Sequence, residues 1–205
     1  MTRKLCMLLL LCVTLFALTA CGGSGLSAAE MKDTFRALTE ASYEINDIYY
    51  GEGLPFVRNE SVMAYLTGTA QGTDGFKVSY MPVADGAAYT TEADIRKATK
   101  AVYSPAMCEI LFGLGFTGFS TADDERVAFA RYIEQDGVLT VRVDLAEDAI
   151  AMGRTYDFDS MEVLIDEENR VRAEFQSYMN GEPSDVVRIT IVNTADGWRL
   201  DSPTY

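Results

Sequence analysis

The spacing of apolar residues changes once along this chain, from three or four in its first half to two in its second, and that switch limits the fold more than any motif does. Ser27-Ala28-Ala29-Glu30 reads as a capping box, in which a hydroxyl and a carboxylate three residues on satisfy each other's free N–H groups. Behind it Met31, Phe35, Leu38, Ser42, Ile45 and Tyr49 alternate between spacings of four and three, the stripe of an amphipathic helix running to about Tyr50. Gly51-Glu52-Gly53-Leu54-Pro55 ends it, and Glu60 to Leu66 offers a short helical turn. Phe76 to Met81 alternates as a strand. Thr91 caps a helix to about Tyr103, with Ile95, Ala98 and Val102 on one face. Ser104-Pro105, as N-cap and first helical residue, opens a second short helix that ends near Gly113.

From Val127 onward the period is two. Val127 to Glu134 and Val138 to Leu145 flank Gln135-Asp136-Gly137, a hairpin signal because Asp-Gly tolerates positive φ, and they set Val141, Val143 and Leu145 on one face. Met161 to Asp166, Val171 to Met179, Val186 to Val192 and Trp198 to Leu200 follow, with turns at Glu168-Asn169, Asn180-Gly181 and Asp196-Gly197. Helices first and strands afterwards predict an α+β domain, its N-terminal helices packed on a curved antiparallel meander sheet. Gly113 to Glu125, glycine-rich and then acidic, is the best candidate for a hinge, and its first part, Gly113 to Gly118, reads as a mobile connector.

Ahead of all this stand Arg3 and Lys4, and then Leu5 to Leu18 without a charge. The run is about 14 residues, short of the roughly 20 that span a bilayer, so it reads as an export signal. Leu18-Thr19-Ala20-Cys21-Gly22 resembles the lipobox of bacterial lipoproteins, which implies cleavage before Cys21 and a diacylated cysteine holding the chain to the outer face of a membrane. Two acyl chains give stable anchoring where one gives marginal binding. The expected organisation is a signal at 1–20, a lipidated flexible tether at 21–26 and one α+β domain at 27–205. Loss of Arg3 and Lys4 moves the formal charge from −14 to −16, which argues against nucleic acid and for a cationic partner.

Catalytic chemistry has few candidates. The sequence has no histidine, hence no usual general base, zinc ligand or triad partner, and no catalytic residue, metal site or cofactor is assigned. Cys108, in an apolar context, reads as a buried structural thiol. Asp144, Asp157, Asp159 and Glu162 are the carboxylates from which an acid-base pair would have to come. The acidic runs Asp123-Asp124-Glu125 and Asp166-Glu167-Glu168 lack the order of ligands of a calcium loop, and Gly113-Leu114-Gly115-Phe116-Thr117-Gly118 lacks the lysine of a phosphate loop. Tyr43, Tyr49, Tyr50, Phe56 and Tyr65 are expected mainly in helix-to-sheet packing, a glycan or peptide groove being the alternative.

Four segments carry a resemblance: Tyr89-Thr90-Thr91-Glu92-Ala93-Asp94-Ile95, Val102-Tyr103-Ser104-Pro105, Tyr132-Ile133-Glu134-Gln135-Asp136-Gly137-Val138-Leu139, and the ending Asp196-Gly197-Trp198-Arg199-Leu200-Asp201-Ser202-Pro203. Their order, from about Tyr65 to the C-terminus, resembles the secreted DL-endopeptidase inhibitors of Gram-positive bacteria, and the final strand resembles nuclear-transport-factor-like or cystatin-like domains. The resemblance implies a protein that binds cysteine-type peptidoglycan endopeptidases and blocks their substrate groove without catalysis. The acidic balance suits steering toward a cationic groove, and Asp123, Asp124 and Glu125, expected in a mobile loop, are the candidate contact residues. The lipid anchor and the long first helix depart from that family, whose members are released. The alternatives are a small-ligand or carboxylate-based enzyme domain using residues such as Asp144 and Asp157, and a structural envelope lipoprotein.

The lipidation reading has a direct check. Cys21→Ser is expected to abolish metabolic labelling with palmitate and leave the signal uncut, whereas labelling that survives the substitution would place the acyl chains elsewhere.

Overall fold

Ser27 opens helix α1 (Ala28–Tyr50) with both arms of the capping box formed: Glu30 N–H donates to the Ser27 hydroxyl, and Ser27 N–H donates to the Glu30 carboxylate at 2.8 Å. The computed structural model describes residues 23–58, 64–68, 76–120, 127–128, 130–147 and 153–205. After α1 come β1 (Ala64–Gly68) and β2 (Phe76–Pro82), then α2 (Glu92–Val102), capped by Thr91, and α3 (Pro105–Phe112), capped by Ser104. The second half holds β3 (Phe119–Ser120), β4 (Val127–Ala128), β5 (Tyr132–Gln135), β6 (Val138–Arg142), the short helix α4 (Val143–Glu147), β7 (Arg154–Glu167), β8 (Arg170–Met179), β9 (Glu182–Thr194) and β10 (Gly197–Leu200).

The α+β class is as expected, but the strands make more than one sheet. The meander is the second sheet, in the order β10-β9-β8-β7; a first sheet runs β1-β2-β6-β5, and β3 and β4 pair separately. Non-local pairing of β2 with β6, Met81 opposite Val141, joins the two halves of the chain. Tight turns fix the hairpins. Asp136-Gly137 and Asn180-Gly181 both have positive φ at each residue (54° and 76°, 53° and 85°), the conformation whose twist matches paired strands.

Several expectations are corrected here. The part of the expected Glu60–Leu66 helical turn that is described, from Ala64 on, belongs to strand β1, because cross-strand bonds to β2 stabilise it where a single turn of helix would not stand alone. Residues 59–63 lie outside the described residues. The strand expected from Val127 to Glu134 is interrupted ahead of Tyr132 because Arg131 turns toward α1. That interruption also ends the ladder opposite Val141, so the expected strand to Leu145 stops at Arg142 and continues as α4. Val143 is buried while Leu145 is exposed. Strand β7 begins seven residues before the expected Met161, its alternation hidden by a register shift between Asp157 and Glu162.

The connector is corrected too, over the part that is described. Gly113–Thr117 is a π-helical turn, and Phe116 packs 6.2–6.3 Å from the rings of Tyr49, Phe112 and Tyr132. Gly115 is required there, since a Cβ would stand 2.6 Å from Tyr49 Cε1.

One apolar cluster runs from Met31 to Leu200. Phe35 of α1 meets Phe175 of β8 edge-on at 5.1 Å, and Tyr156 and Phe158 of β7 close around Phe175. A fully buried side chain of this size contributes roughly 1.5–3 kcal/mol. On the same face of α1, Ser42 and Asn46 are buried and polar. Their partner is Thr204: its hydroxyl lies 2.6 Å from Ser42 Oγ and accepts from Asn46 Nδ2 at 2.9 Å, while Tyr103 donates to Asn46 Oδ1 and Tyr156 donates to the Thr204 carbonyl. The C-terminal tail thereby locks α1 onto the second sheet.

The far end of α1 is held from the first sheet. Its last turn has no basic residue, although a helix C-terminus leaves carbonyls free and carries partial negative charge. Arg131, 5 % exposed, donates to the carbonyls of Tyr49 and Gly51, and the Tyr132 hydroxyl donates to the Ile48 carbonyl and accepts from Leu54 N–H. Gly53, at φ +77°, leaves room for this clamp, since a Cβ would lie 2.7 Å from the Tyr132 hydroxyl. Arg131→Met, which keeps most of the stem, is expected to lower the unfolding free energy by about 2–4 kcal/mol and Tyr132→Phe by about 1–2 kcal/mol, read from urea midpoints at unchanged slope. A change under about 0.5 kcal/mol for Arg131→Met, the range of an ordinary surface substitution, would mean that the helix end is satisfied without it.

Candidate functional site

The four carboxylates singled out in the sequence are not brought together as an acid-base pair. Asp144, at the start of α4, is gripped by Arg142 through Nε at 2.8 Å and Nη2 at 2.6 Å. Partial burial pushes its carboxyl up, but the Arg142 hydrogen bonds and charge outweigh that and hold it below the usual range. Asp157 and Asp159 belong to the irregular stretch of β7: Asp157 Oδ1 accepts the Asp159 N–H, and the Ser160 hydroxyl donates to the Asp157 carbonyl and accepts from Gln176 N–H. Those bonds build the bulge. Asp159 also accepts from Lys32 Nζ at 3.0 Å, which holds its carboxyl low. Glu162 is exposed, opposite Glu174 across the ladder.

Of the two acidic runs, Asp123, Asp124 and Glu125 lie outside the described residues, as does Cys21. The other, at the β7–β8 turn, meets the start of the described chain. Asp166 Oδ1 accepts the Ser24 N–H at 2.7 Å, which lowers its carboxyl pKa, so the segment expected to be a free tether is docked at this point. Among the described residues, no three histidine, cysteine, aspartate or glutamate side chains converge as a metal site.

The aromatic candidates divide. Tyr49 is buried, with its hydroxyl 3.0 Å from that of Thr99. Tyr43 and Phe56 pack against the core. Tyr50 stacks on Tyr205 with ring centroids 3.9 Å apart, the Tyr205 hydroxyl donating to that of Tyr50. Tyr65 lies on β1, paired with Ser79.

A groove that the sequence did not announce opens between α3 and the β9–β10 turn, with a volume of about 370 Å³. Pro105, Cys108, Glu109 and Phe112 face it at helical spacing, Thr194, Ala195 and Asp196 form the opposite wall, and Lys100 and Arg199 close one side. Arg199 Nε donates to the Lys100 carbonyl at 3.0 Å and its Nη1 to the Trp198 carbonyl at 2.8 Å, which fixes the guanidinium. No local pattern signals such a groove, because Lys100 and Arg199 are brought together only by the docking of β10 against the end of α2.

Cys108 is 3 % exposed, and its thiol donates to the Tyr103 carbonyl. Burial pushes the thiol up, while the charges of Lys100 and Arg199 draw it partly back. The arrangement favours a protonated sulfur and can bind rather than attack. With the folded pKa raised, the protonated thiol's contribution to stability is complete below the unfolded pKa and is lost as pH rises through the folded one. Native-state alkylation of Cys108 by iodoacetamide is accordingly expected to keep accelerating beyond pH 9.0, its ordinary value; a rate that levels off below that pH would mean an activated thiolate.

Comparison with known proteins adds no relative: no family model matches the sequence, and no match was found among curated proteins or solved structures.

Proposed function

We propose that this chain is a membrane-anchored extracytoplasmic binding lipoprotein that restrains peptidoglycan DL-endopeptidases by occupying their substrate groove. The choice of target rests on the resemblance of the four segments in the second half of the chain. The observation that carries the binding reading is the filled interior between α1 and the second sheet. An enclosed ligand site would need that space, and Phe35, Tyr156, Phe158 and Phe175 occupy it with centroids 5.1–6.4 Å apart. Apart from Arg131, no charged side chain among the described residues is buried, and a formal charge of −14 for the whole chain accelerates encounter with a cationic partner.

Anchoring would also orient the domain. From Ser24, held on Asp166, three residues reach back to Cys21, at most about 11 Å of extended chain. Lipid on Cys21 would therefore set the β7–β8 turn nearest the membrane. Strand β8, ten residues long, would carry the β8–β9 turn roughly 30 Å away from it.

The test is cleavage of wall stem peptides by a purified cysteine-type DL-endopeptidase in the presence of the full chain in phosphatidylcholine nanodiscs. Inhibition is expected at low salt, with an association rate that falls about tenfold or more between 50 and 300 mM salt. Full cleavage at low salt would overturn the inhibitor reading. Replacing Asp123, Asp124 and Glu125 by Asn, Asn and Gln is expected to weaken inhibition about tenfold; unchanged inhibition would remove those residues from the contact surface.

A further inference from the structure

We infer that the concavity between the β8–β9 hairpin and the C-terminal tail is a binding site for a short peptide with both ends free. This goes beyond the inhibitor reading and does not depend on it. The concavity has a volume of about 750 Å³, within the range of small-molecule sites. Its apolar wall is Val186, Val187, Pro203 and Tyr205, and Tyr205 is held in place by its stack on Tyr50 and the bond between their hydroxyls. Strand β10 pairs with β9 only over residues 191–194, and the tail takes up Thr190. Among the described residues, nothing pairs with the main chain of Asp185, Val186, Val187 and Arg188 on that side. A strand edge left open in this way offers backbone donors and acceptors to an extended peptide.

Charge decides which peptide. Four charged side chains line the concavity, and two of them satisfy each other: Arg188 Nε donates to the Glu174 carboxylate at 2.6 Å. The other two do not. Arg154 is half-buried and makes a single hydrogen bond, from Nη1 to the Ser177 hydroxyl at 2.9 Å. Its Nε is buried without an acceptor, and no carboxylate pairs with it. Asp185 is exposed, and its carboxylate has no partner among the described residues. Ser177 is fully buried, and the hydroxyl that accepts from Arg154 donates to the Asp185 carbonyl at 2.6 Å. One buried group thus fixes the guanidinium and the main chain of the carboxylate residue in relation to each other. Arg154 stands on β7 and Asp185 on β9, about 10 Å apart at the main chain by two strand spacings, and the Arg154 side chain covers part of that distance by reaching Ser177 on the strand between. A dipeptide, about 7 Å from end to end, bridges what is left. Its carboxylate meets Arg154 by charge-assisted hydrogen bonds, and its ammonium meets Asp185. A ligand with one charge alone leaves one of the two poles unanswered.

The probe is Ala-Phe, with N-acetyl-Ala-Phe as the anion and Ala-Phe amide as the cation of the same body. The full chain is held in phosphatidylcholine nanodiscs, with empty discs as the blank. Ala-Phe is expected to bind saturably in equilibrium dialysis and to shift the amide signals of Asp185, Val186, Val187 and Arg188. Each blocked form is expected to bind about tenfold more weakly. Asp185→Asn should weaken Ala-Phe about tenfold and leave N-acetyl-Ala-Phe unaltered, whereas Arg154→Gln should weaken Ala-Phe about tenfold and leave the amide unaltered. Because Arg154 also braces Ser177, the exposed Asp185→Asn decides the matter if Arg154→Gln is destabilised. No saturable binding, equal affinity for the three forms, or an unaltered affinity for Ala-Phe in Asp185→Asn would overturn the proposal.

Discussion

The buried guanidinium of Arg131 at the end of α1 is the contact on which the joining of the two halves depends. A 23-residue helix brings its carbonyls into the interior with no cation of its own in the last turn, and each carbonyl left unpaired there costs about 1–3 kcal/mol. The cation has the matching difficulty, since a buried charge without compensation costs several kcal/mol. Each answers the other. The same short segment ties in the first sheet: Ala130 O accepts from the Tyr80 hydroxyl and Arg131 O from Arg142 N–H. Three consecutive residues thus connect α1, β2, β5 and β6, and the interruption ahead of β5 follows from their turning toward the helix.

The second sheet is attached by a different means. Asp201 N–H donates to the Thr190 carbonyl, Thr190 N–H donates to the Ser202 hydroxyl, and Thr204 then enters the polar stripe of α1. That explains why the buried face of α1 carries Ser42 and Asn46. Buried hydroxyls and amides stabilise only when fully paired, and their pairing specifies where the last residues lie more narrowly than apolar contact would. Ser104 adds to this by donating to the Asp201 carboxylate while capping α3, so the tail also sets α3 beside the β9–β10 turn.

Local signals account for what was legible in the sequence. Ser27 with Glu30, Thr91, Ser104 with Pro105, Asp136-Gly137 and Asn180-Gly181 act within a few residues, and each falls where it was expected. What could not be read is non-local. Arg131 stood inside the run read as a strand from Val127 to Glu134, yet its partners are the carbonyls of Tyr49 and Gly51. Strand β7 lost its first half to the bulge at Asp157–Ser160, where local side-chain bonds break the period of two. The groove beside Cys108 was invisible for the same reason: α3, Lys100 and Arg199 each have an ordinary local explanation, and only the docked tail makes them one surface.

Acidic composition is a poor guide to available chemistry in this fold. Glu30 serves the N-terminus of α1 and Glu134 accepts the Glu92 N–H at the start of α2. Asp47 accepts Glu52 N–H beyond the end of α1, Asp144 is held by Arg142, and Asp166 holds Ser24. Where such bonds shift a carboxyl, as at Glu30, Asp144, Asp159 and Asp166, the shift is downward. A general acid at neutral pH needs the opposite, a carboxyl raised by burial or by a like charge. These groups are therefore spent as hydrogen-bond acceptors that set backbone geometry.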